Sequence, residues 1–163
     1  MDEVDLAAAQ WRSQRPELDI SPFEVFGRVQ RLAVLVNTAI QKFARANGLE
    51  QSELDVLMTL RRADADLSAG DLLASSMVTS GAITGRIDRL EGKNLVERLR
   101  SGDDRRVVRV RLTTSGVQLV DRLIGEHLHN EDRLLAGLDQ DQRRNVIEML
   151  RLLLQSVREA EAL

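Results

Sequence analysis

The 163-residue sequence contains no cysteine and only two prolines, and its aromatic residues are three phenylalanines and one tryptophan. The lack of cysteine excludes disulfides, thiol nucleophiles, thiol-based redox sensing and most structural zinc sites. Because single-stranded nucleic acid is bound largely by stacking of bases on aromatic side chains, so few aromatic residues argue against that activity. The scarcity of proline, together with abundant leucine and alanine, predicts a mainly helical chain.

Long hydrophobic segments are also missing. The longest unbroken apolar run is LAVLV at 32–36, which is far too short to span a membrane. The first 14 residues are acidic and lack the apolar centre of a secretory signal peptide. We therefore expect a cytoplasmic protein with no membrane partner.

Positive charge is concentrated in one segment, although the net charge of the chain is −3. Residues 86–111 contain nine basic and five acidic side chains, so this segment carries +4 and the rest of the chain −7. A basic segment on an acidic protein is typical of a surface that binds nucleic acid. On charge alone, a solvated surface that happens to be basic explains the pattern equally well.

Local signals predict three helices in the N-terminal third of the chain. The first covers 2–14. The second begins at Ser21, which we expect to cap it, carries Pro22 at its first position and ends before Gly48. The third, over 51–63, has apolar residues on more than one side, which predicts a central position in the core.

Two short helices and a β-hairpin are predicted next. Ser68 and Asp71 form the pattern of a capping box, and Thr79 is expected to cap the following helix. A connector of about three residues between the two helices is the spacing of a helix-turn-helix. The stretches LVERLR at 95–100 and VVRVRLT at 107–113 then alternate apolar and basic residues around SGDDRR, which predicts a hairpin. A helix-turn-helix followed at once by an arginine-rich hairpin predicts a winged helix.

Two long helices are predicted at the C-terminus. Thr113 is expected to cap the first and Gly137 to end it, and Asp139 with Gln142 forms a capping pair for the second. The apolar stripes of the first and last long helices are too wide for a small winged domain to cover, which indicates burial in a dimer.

The predicted fold class is therefore mainly α with a small β-hairpin wing. The expected organisation is an N-terminal extension helix and linker at 1–20, dimerisation helices at 21–50 and 114–163, and a winged helix-turn-helix DNA-binding lobe at 51–113.

The chain resembles the MarR family of bacterial transcriptional regulators over nearly its whole length. The resemblance rests on TSGAITGRIDRLEGKNLVER and on DRRVVRVRLTTSG, which is similar to the wing signature of that family. The signature positions here are Asp104, Arg106, Leu112, Thr113 and Gly116. The resemblance implies a homodimer in which two winged helices read a pseudo-palindromic duplex, with repression relieved by a ligand.

DNA contacts are expected first on the second helix of the helix-turn-helix, the recognition helix. In this arrangement the helix lies in the major groove and its N-terminal residues face base edges. The candidates are Ser80, Thr84 and Gly85, with Arg89 near bases or backbone. Simple helix capping is the alternative role for Ser80.

The hairpin tip is the second expected DNA contact. Arg105 and Arg106 give it positive charge, which suits the narrow and electronegative minor groove. For Arg106, an ion pair with Asp104 inside the hairpin is an equally good interpretation.

Two charged residues interrupt apolar surroundings. Asp55 lies within LDVLMTL of the central helix, and Arg86 lies at the edge of the apolar stripe of ITGRIDRL. A buried carboxylate or guanidinium needs a partner. A pair between the two would join the central helix to the recognition helix, either as a static structural ion pair or as part of a ligand switch.

Within the MarR family the chain most resembles the urate-responsive HucR and PecS type. The matching positions are Trp11, Asp55, Arg86 and Arg98. The resemblance implies that Trp11 packs on a flat anionic ligand, that Arg86 and Arg98 bind its charge, and that the ligand competes with Asp55 and shifts the recognition helix. A hydrophobic anchor is the alternative role for Trp11.

Other functions find less support in the sequence. An aromatic acid or a small di- or tricarboxylate would also suit two arginines, and a winged helix used for protein assembly conflicts with the basic segment. No phosphate-binding glycine loop or Ser/His/Asp set is present, so we expect no enzyme activity and no cofactor. His127 and His129 point to different helix faces, and His127 with Glu131 supplies too few ligands for a metal site.

Overall fold

The computed structural model describes residues 1–75, 83–100 and 108–162. In these residues the chain forms seven helices and a small antiparallel sheet, which confirms the predicted fold class. The helices are α1 (Glu3–Gln14), α2 (Ser21–Ala46), α3 (Gln51–Ala63), α4 (Ala69–Ser75), α5 (Ile83–Gly92), α6 (Thr114–Leu134) and α7 (Gln140–Glu161). The strands are β1 (Leu67–Ser68), β2 (Val96–Arg100) and β3 (Val108–Leu112).

The hydrophobic core is built around α3, as the apolar residues on several sides of this helix predict. Its buried apolar residues are Leu54, Val56, Leu57 and Leu60. The other elements of the core surround them with Leu72, Ile87, Leu90, Val96, Val110, Val120 and Leu123. Because burying one such side chain contributes roughly 1.5–3 kcal/mol, this cluster is what holds α4, α5, α6 and the sheet on α3.

The sheet has the strand order β1-β3-β2. Strands β2 and β3 pair antiparallel as the predicted hairpin, with Arg98 opposite Val110. On the other edge of β3, Leu67 of β1 pairs with Val110. Strand β1 was not predicted, because two residues are too few to show the alternation that marks a strand. The turn predicted at 101–106 lies outside the described residues.

Two predicted capping boxes are confirmed. At α4 the Ser68 N–H donates to the Asp71 carboxylate (3.0 Å), and the Asp71 N–H donates to Ser68 Oγ (3.1 Å). At α7 the Asp139 N–H donates to Gln142 Oε1 (2.9 Å), and the Gln142 N–H donates to Asp139 Oδ1 (2.8 Å). Each box satisfies backbone N–H groups that the helix itself leaves without acceptors.

The predicted cap of α2 is wrong. Ser21 is the first residue of the helix, and Ile20 before it provides no side-chain cap. The N–H and the hydroxyl of Ser21 both donate to the Asp19 carboxylate at 2.9 Å, so the acid two residues earlier stabilises this end. Pro22 lies in the first turn, and Gly48 with φ of +71° follows the helix end, both as predicted.

The N-terminal helix α1 packs on α2. Val4 and Ala8 are buried, and Val4 Cγ1 lies 3.1 Å from the position where Gly27 would carry a Cβ, so the glycine permits the close approach. Trp11 on the same helix is half exposed. Exposed ion pairs also join the two helices: Arg12–Glu24, Arg28–Asp2, Arg28–Asp5 and Arg31–Glu3.

Wide apolar faces of α2 and α7 stay exposed in the single chain. No residue of α7 is buried, and Phe26, Leu32 and Leu35 of α2 are 45–54% exposed. Apolar surface of this extent marks an interaction site, and burial of these helices in a dimer stays a prediction. None of the helices in the described ranges combines the length and hydropathy that crossing a membrane requires.

The junction between β3 and α6 requires a glycine. Thr113 caps α6, as predicted, by accepting the Gly116 N–H at 3.0 Å, and its own N–H donates to the Leu95 carbonyl oxygen at 3.1 Å. A Cβ on Gly116 would lie 2.0 Å from that same Leu95 oxygen. The helix cap and the segment that leaves α5 therefore approach too closely for any side chain.

Replacing Gly116 by alanine should lower the free energy of unfolding by about 3 kcal/mol, the upper end of the cost of overpacking. Urea denaturation at one protein concentration measures the change. Gly125→Ala in the same helix is the matched control, because a Cβ there meets nothing within 4 Å. It should stabilise the protein by roughly 0.5–1 kcal/mol through helix propensity. Equal stabilities of the two variants would refute this account of the junction.

Candidate nucleic-acid interface

The faces of α5 follow the predicted pattern of a recognition helix. Ile87 and Leu90 are buried against the core. Away from the core, Thr84 and Arg89 are exposed and Gly85 is half-buried. Three of the predicted DNA contacts therefore lie on one outward surface of the helix that follows α4.

The remaining predicted DNA contacts, Ser80, Arg105 and Arg106, lie outside the described residues. Two further arginines of the basic segment lie on β3 and have partners. Arg111 forms an ion pair with Glu97 of β2 at 2.8 Å, and Arg109 donates to the Asp66 carbonyl oxygen at 3.0 Å.

A buried carboxylate that sequence reasoning missed connects α3 to α5. Glu53 has no exposed surface, and its carboxylate binds Arg89 Nε at 3.1 Å and Lys93 Nζ at 2.7 Å. The Glu50 N–H also donates to it at 2.8 Å, and Lys93 Nζ donates in addition to the Gly48 carbonyl oxygen at 2.9 Å. The candidate DNA contact Arg89 is thus held by a residue of the core helix.

The pKa of Glu53 reflects these partners. Burial by itself raises the pKa of the carboxyl group, but the hydrogen bond from Lys93, the Glu50 N–H and the contact with Arg89 outweigh burial, and the pKa is lowered from its ordinary value of 4.5. The side chain is therefore an ionised carboxylate at neutral pH. Spacing could have revealed it, because Glu53, Leu57 and Leu60 share one face of α3 at i, i+4 and i+7.

Arg98, a predicted ligand-binding residue, is bound to α5 in this structure. Its guanidinium forms ion pairs with both Asp88 and Glu91 of the helix, and the side chain is 28% exposed. The hydrogen bond with Asp88, more than that with Glu91, raises the pKa of Arg98 above its ordinary value. Strand β2 therefore contacts the recognition helix through one arginine and two carboxylates.

Asp55 lines a cleft of about 450 Å³ between α2, α3 and α6. The cleft mixes apolar and charged groups, and its other lining residues are Asn37, Ile40, Gln51, Leu54, Met58, Arg62, Ile124, His127, Leu128 and Glu131. Of the four predicted ligand-binding residues, the described lining includes Asp55 and not Trp11, Arg86 or Arg98. This cleft by itself therefore does not bring the four residues together, and their shared role in ligand binding stays a prediction.

Arg86 is buried, with 7% of its surface exposed, as its place at the edge of the apolar stripe predicts. It lies on α5, and Asp55 lies half-buried on α3. The proposed pairing of these two residues, and its role as a switch, stay predictions.

His127 lines the same cleft. Its Nε2 lies 3.3 Å from Glu131 Oε1, which confirms that the two residues share a helix face. Its ring packs against Phe43 with centroids 5.3 Å apart. Through Arg62 and Glu131 the cleft lining offers one positive and one negative group to a small molecule, and Phe43 packs on the ring of His127.

The sequence matches the profile of the MarR family over residues 49–108. The transcriptional regulator PecS of Dickeya dadantii is 33% identical over 150 residues, a match that covers 91% of this chain and 90% of PecS. This chain belongs to the MarR family.

Solved structures share the fold of this MarR-family chain. The apo crystal structure of Escherichia coli MarR is 29% identical, with a TM-score of 0.63 over 78% of this chain and 95% of that one. Bordetella bronchiseptica BpsR, whose DNA binding is regulated by 6-hydroxynicotinic acid, has a TM-score of 0.67 at 24% identity, over 78% of this chain and 91% of BpsR. MarR-family proteins are DNA-binding, dimeric transcriptional regulators, and the relatives of this chain are regulators and not enzymes.

Replacing Glu53 by glutamine should lower the free energy of unfolding at pH 7 by about 1.5–3 kcal/mol, the contribution of a hydrogen bond to a charged group. Because the pKa of Glu53 is lower in the folded state, its stabilisation is fully present above pH 4.5 and is lost as the pH falls through the folded-state value. The difference in the free energy of unfolding between the wild type and Glu53→Gln should therefore become smaller below pH 4.5.

Urea denaturation at a series of pH values and one protein concentration measures this difference. Asp121→Asn is the control, because Asp121 forms an exposed ion pair with Arg61 at 2.6 Å and such pairs contribute little. A gap between wild type and the Glu53 variant that is the same at pH 3 and pH 7 would exclude the ionised carboxylate as its cause.

Proposed function

We propose that this chain is a ligand-responsive repressor that binds a pseudo-palindromic duplex as a homodimer and is released by a small anionic ligand. The observation that carries the DNA-binding part is that α5 exposes Thr84 and Arg89, and that Arg89 belongs to the segment 86–111, which has a net charge of +4. Reading of a major groove by a helix-turn-helix requires an exposed polar and basic surface of this kind. Membership in a family of transcriptional regulators supports this role over that of a protein-assembly module.

In this proposal the DNA contacts are Ser80, Thr84, Gly85 and Arg89 of the recognition helix, and Arg105 and Arg106 of the wing tip. The helix residues face base edges in the major groove, and Arg89 reaches bases or phosphates from its place beside Glu53. The two wing arginines enter the adjacent minor groove, where the negative potential is strongest when the groove is narrow.

The dimer is proposed to form through residues 21–50 and 114–163, with residues 51–113 as the DNA-binding lobe and 1–20 as an extension packed on α2. Support comes from the apolar faces of α2 and α7, which a single chain leaves exposed. Twofold symmetry places two recognition helices about one turn of duplex apart, which matches a pseudo-palindromic site.

The proposed effector contacts are Trp11, Asp55, Arg86 and Arg98. Asp55 lines the cleft beside α2, and Arg98 holds two carboxylates of α5. An anion that attracts Arg98 would weaken its hold on the recognition helix, so ligand binding and the position of α5 would be coupled. This coupling supplies the differential affinity that release from DNA requires.

The resemblance to the HucR and PecS type favours urate or a related heterocycle as the ligand. An aromatic acid or a small di- or tricarboxylate is the alternative, because two arginines accept these anions as well. The heterocyclic acid that regulates BpsR belongs to the same chemical class as the favoured ligands and is a direct choice for testing.

Replacing Arg105 by alanine should weaken binding to every duplex and lower the slope of log affinity against log salt concentration by about one. Fluorescence anisotropy with a labelled duplex at several salt concentrations measures this slope. Arg144→Ala on α7, where Arg144 is paired with Asp141, removes the same charge outside the lobe and should leave the slope unchanged. An Arg105 variant with the wild-type slope would exclude the wing contact, and a wild type without salt-sensitive duplex binding would refute the proposed function.

Adding urate or 6-hydroxynicotinate to the protein–DNA complex should dissociate it, and Arg86→Ala and Arg98→Ala should each respond less. Citrate, added in parallel, tests the tricarboxylate alternative. Trp11 is the only tryptophan, so quenching of its fluorescence by the ligand separates a ligand contact from a hydrophobic anchor. The effector proposal is wrong if no anion releases the DNA or if both variants respond as the wild type does.

A further inference from the structure

One side of α5 is fastened to the core by a buried acid. Glu53 of α3 is completely buried, whereas its partners Arg89 and Lys93 are 52% and 38% exposed at their side chains. Both contacts are within hydrogen-bonding distance, at 3.1 and 2.7 Å. Because salt screens buried charges much less than exposed ones, this attachment should persist at physiological ionic strength.

The other side of α5 is fastened to the sheet by ion pairs in which the signs are reversed, so that the helix carries the negative charges. Here the helix supplies two carboxylates, Asp88 and Glu91, and β2 supplies the guanidinium of Arg98. One planar guanidinium bound to two carboxylates from successive turns fixes both distance and orientation. The two attachments cannot exchange partners, because an exchange would bring charges of the same sign together. Glu53 would then face the two carboxylates of α5, and Arg98 would face its cations.

The two attachments lie on opposite sides of the buried face of the helix. At about 100° per residue, Arg89 is on one side of the face formed by Ile87 and Leu90, and Asp88 with Glu91 is on the other. Rotation of α5 about its own axis in either direction therefore stretches one set of ion pairs. The apolar contacts at the buried face are less directional, so they alone would permit such a rotation more easily.

We propose that Glu53 and Arg98 are positioning residues that fix the rotation of the recognition helix and thereby determine sequence selectivity. This inference rests on the proposed function, because it assumes that α5 reads base edges. The rotation of a helix in the major groove decides which side chains reach which bases. Phosphate contacts depend on charge much more than on this angle, so non-specific binding should be nearly independent of it.

The test compares a selected duplex with a scrambled one. The selected duplex is the tightest sequence that the wild-type protein retains from a random library, and the scrambled duplex has the same composition. The dissociation constants of both are measured at one salt concentration for the wild type, Glu53→Gln, Arg98→Gln and Asp121→Asn. Thermal melting establishes that each variant is folded, and the ratio of the two constants defines selectivity.

Glu53→Gln and Arg98→Gln should each reduce selectivity at least tenfold, whereas Asp121→Asn should keep the wild-type value. Glu53→Gln removes a negative charge and Arg98→Gln removes a positive one. A purely electrostatic effect would therefore raise the DNA affinity of the first variant and lower that of the second, and it would not reduce the selectivity of both. Affinity for the scrambled duplex should stay equal or rise for Glu53→Gln, as for its charge-matched control Asp121→Asn.

Selectivity in Glu53→Gln and Arg98→Gln equal to that of Asp121→Asn would overturn the inference. A parallel loss of affinity for both duplexes would also overturn it, because that result indicates a structural role only. A wild type that binds neither duplex would instead refute DNA binding itself, which separates failure of the proposed function from failure of the positioning role.

Discussion

A carboxylate with no exposed surface, Glu53, joins the central helix to the recognition helix, and much of the arrangement around α5 depends on it. Its neighbours on α3 extend this connection. Leu54 enters the core and Asp55 lines the cleft between α2, α3 and α6. Three successive residues of one helix therefore contact the recognition helix, the hydrophobic core and a candidate ligand site. A displacement of α3 would therefore change its contacts with the recognition helix, with the hydrophobic core and with the cleft.

Under the proposed function, this arrangement would couple ligand binding to DNA binding. A ligand shifts an equilibrium only through different affinities for the two states of the protein, so the ligand must contact groups that differ between those states. Arg98 and Asp55 belong to the two elements, β2 and α3, that flank the recognition helix. In the proposed mechanism, a molecule that competes for Arg98 would weaken its ion pairs with Asp88 and Glu91 of α5, and the protein would switch between two rotations of that helix. The apolar core would stay packed throughout.

Much of the fold could be predicted from the sequence because its signals are local. The capping pairs Ser68–Asp71 and Asp139–Gln142 act within one turn, and the alternation in β2 and β3 reports one buried face. Strand β1 could not be predicted, because two residues are too few to show an alternation of apolar and polar side chains. The cap of α2 was misassigned because Asp19 and Ser21 are both good capping residues, and local propensity does not choose between them.

The candidate site was predicted less completely, because its contacts join residues far apart in the sequence. Asp55 stands out in the sequence as a charge within an apolar run, whereas Glu53 lies in the first turn of α3, where acidic residues are common. Only the fold brings Arg89 and Lys93 to it and makes it the buried partner of the recognition helix. The resemblance predicts a ligand-binding role for Arg98. Its ion pairs with Asp88 and Glu91 depend on the packing of β2 against α5, which the sequence alone does not show.

Hydroxyl-radical footprinting of the wild-type protein on its selected duplex tests the central claim, that two copies of this helix read one twofold site, most directly. The account predicts two protected stretches related by the symmetry of the site, centred about 10 base pairs apart, with protection of the flanking minor grooves by the wings. A single protected stretch, or uniform protection without a preferred register, would contradict it.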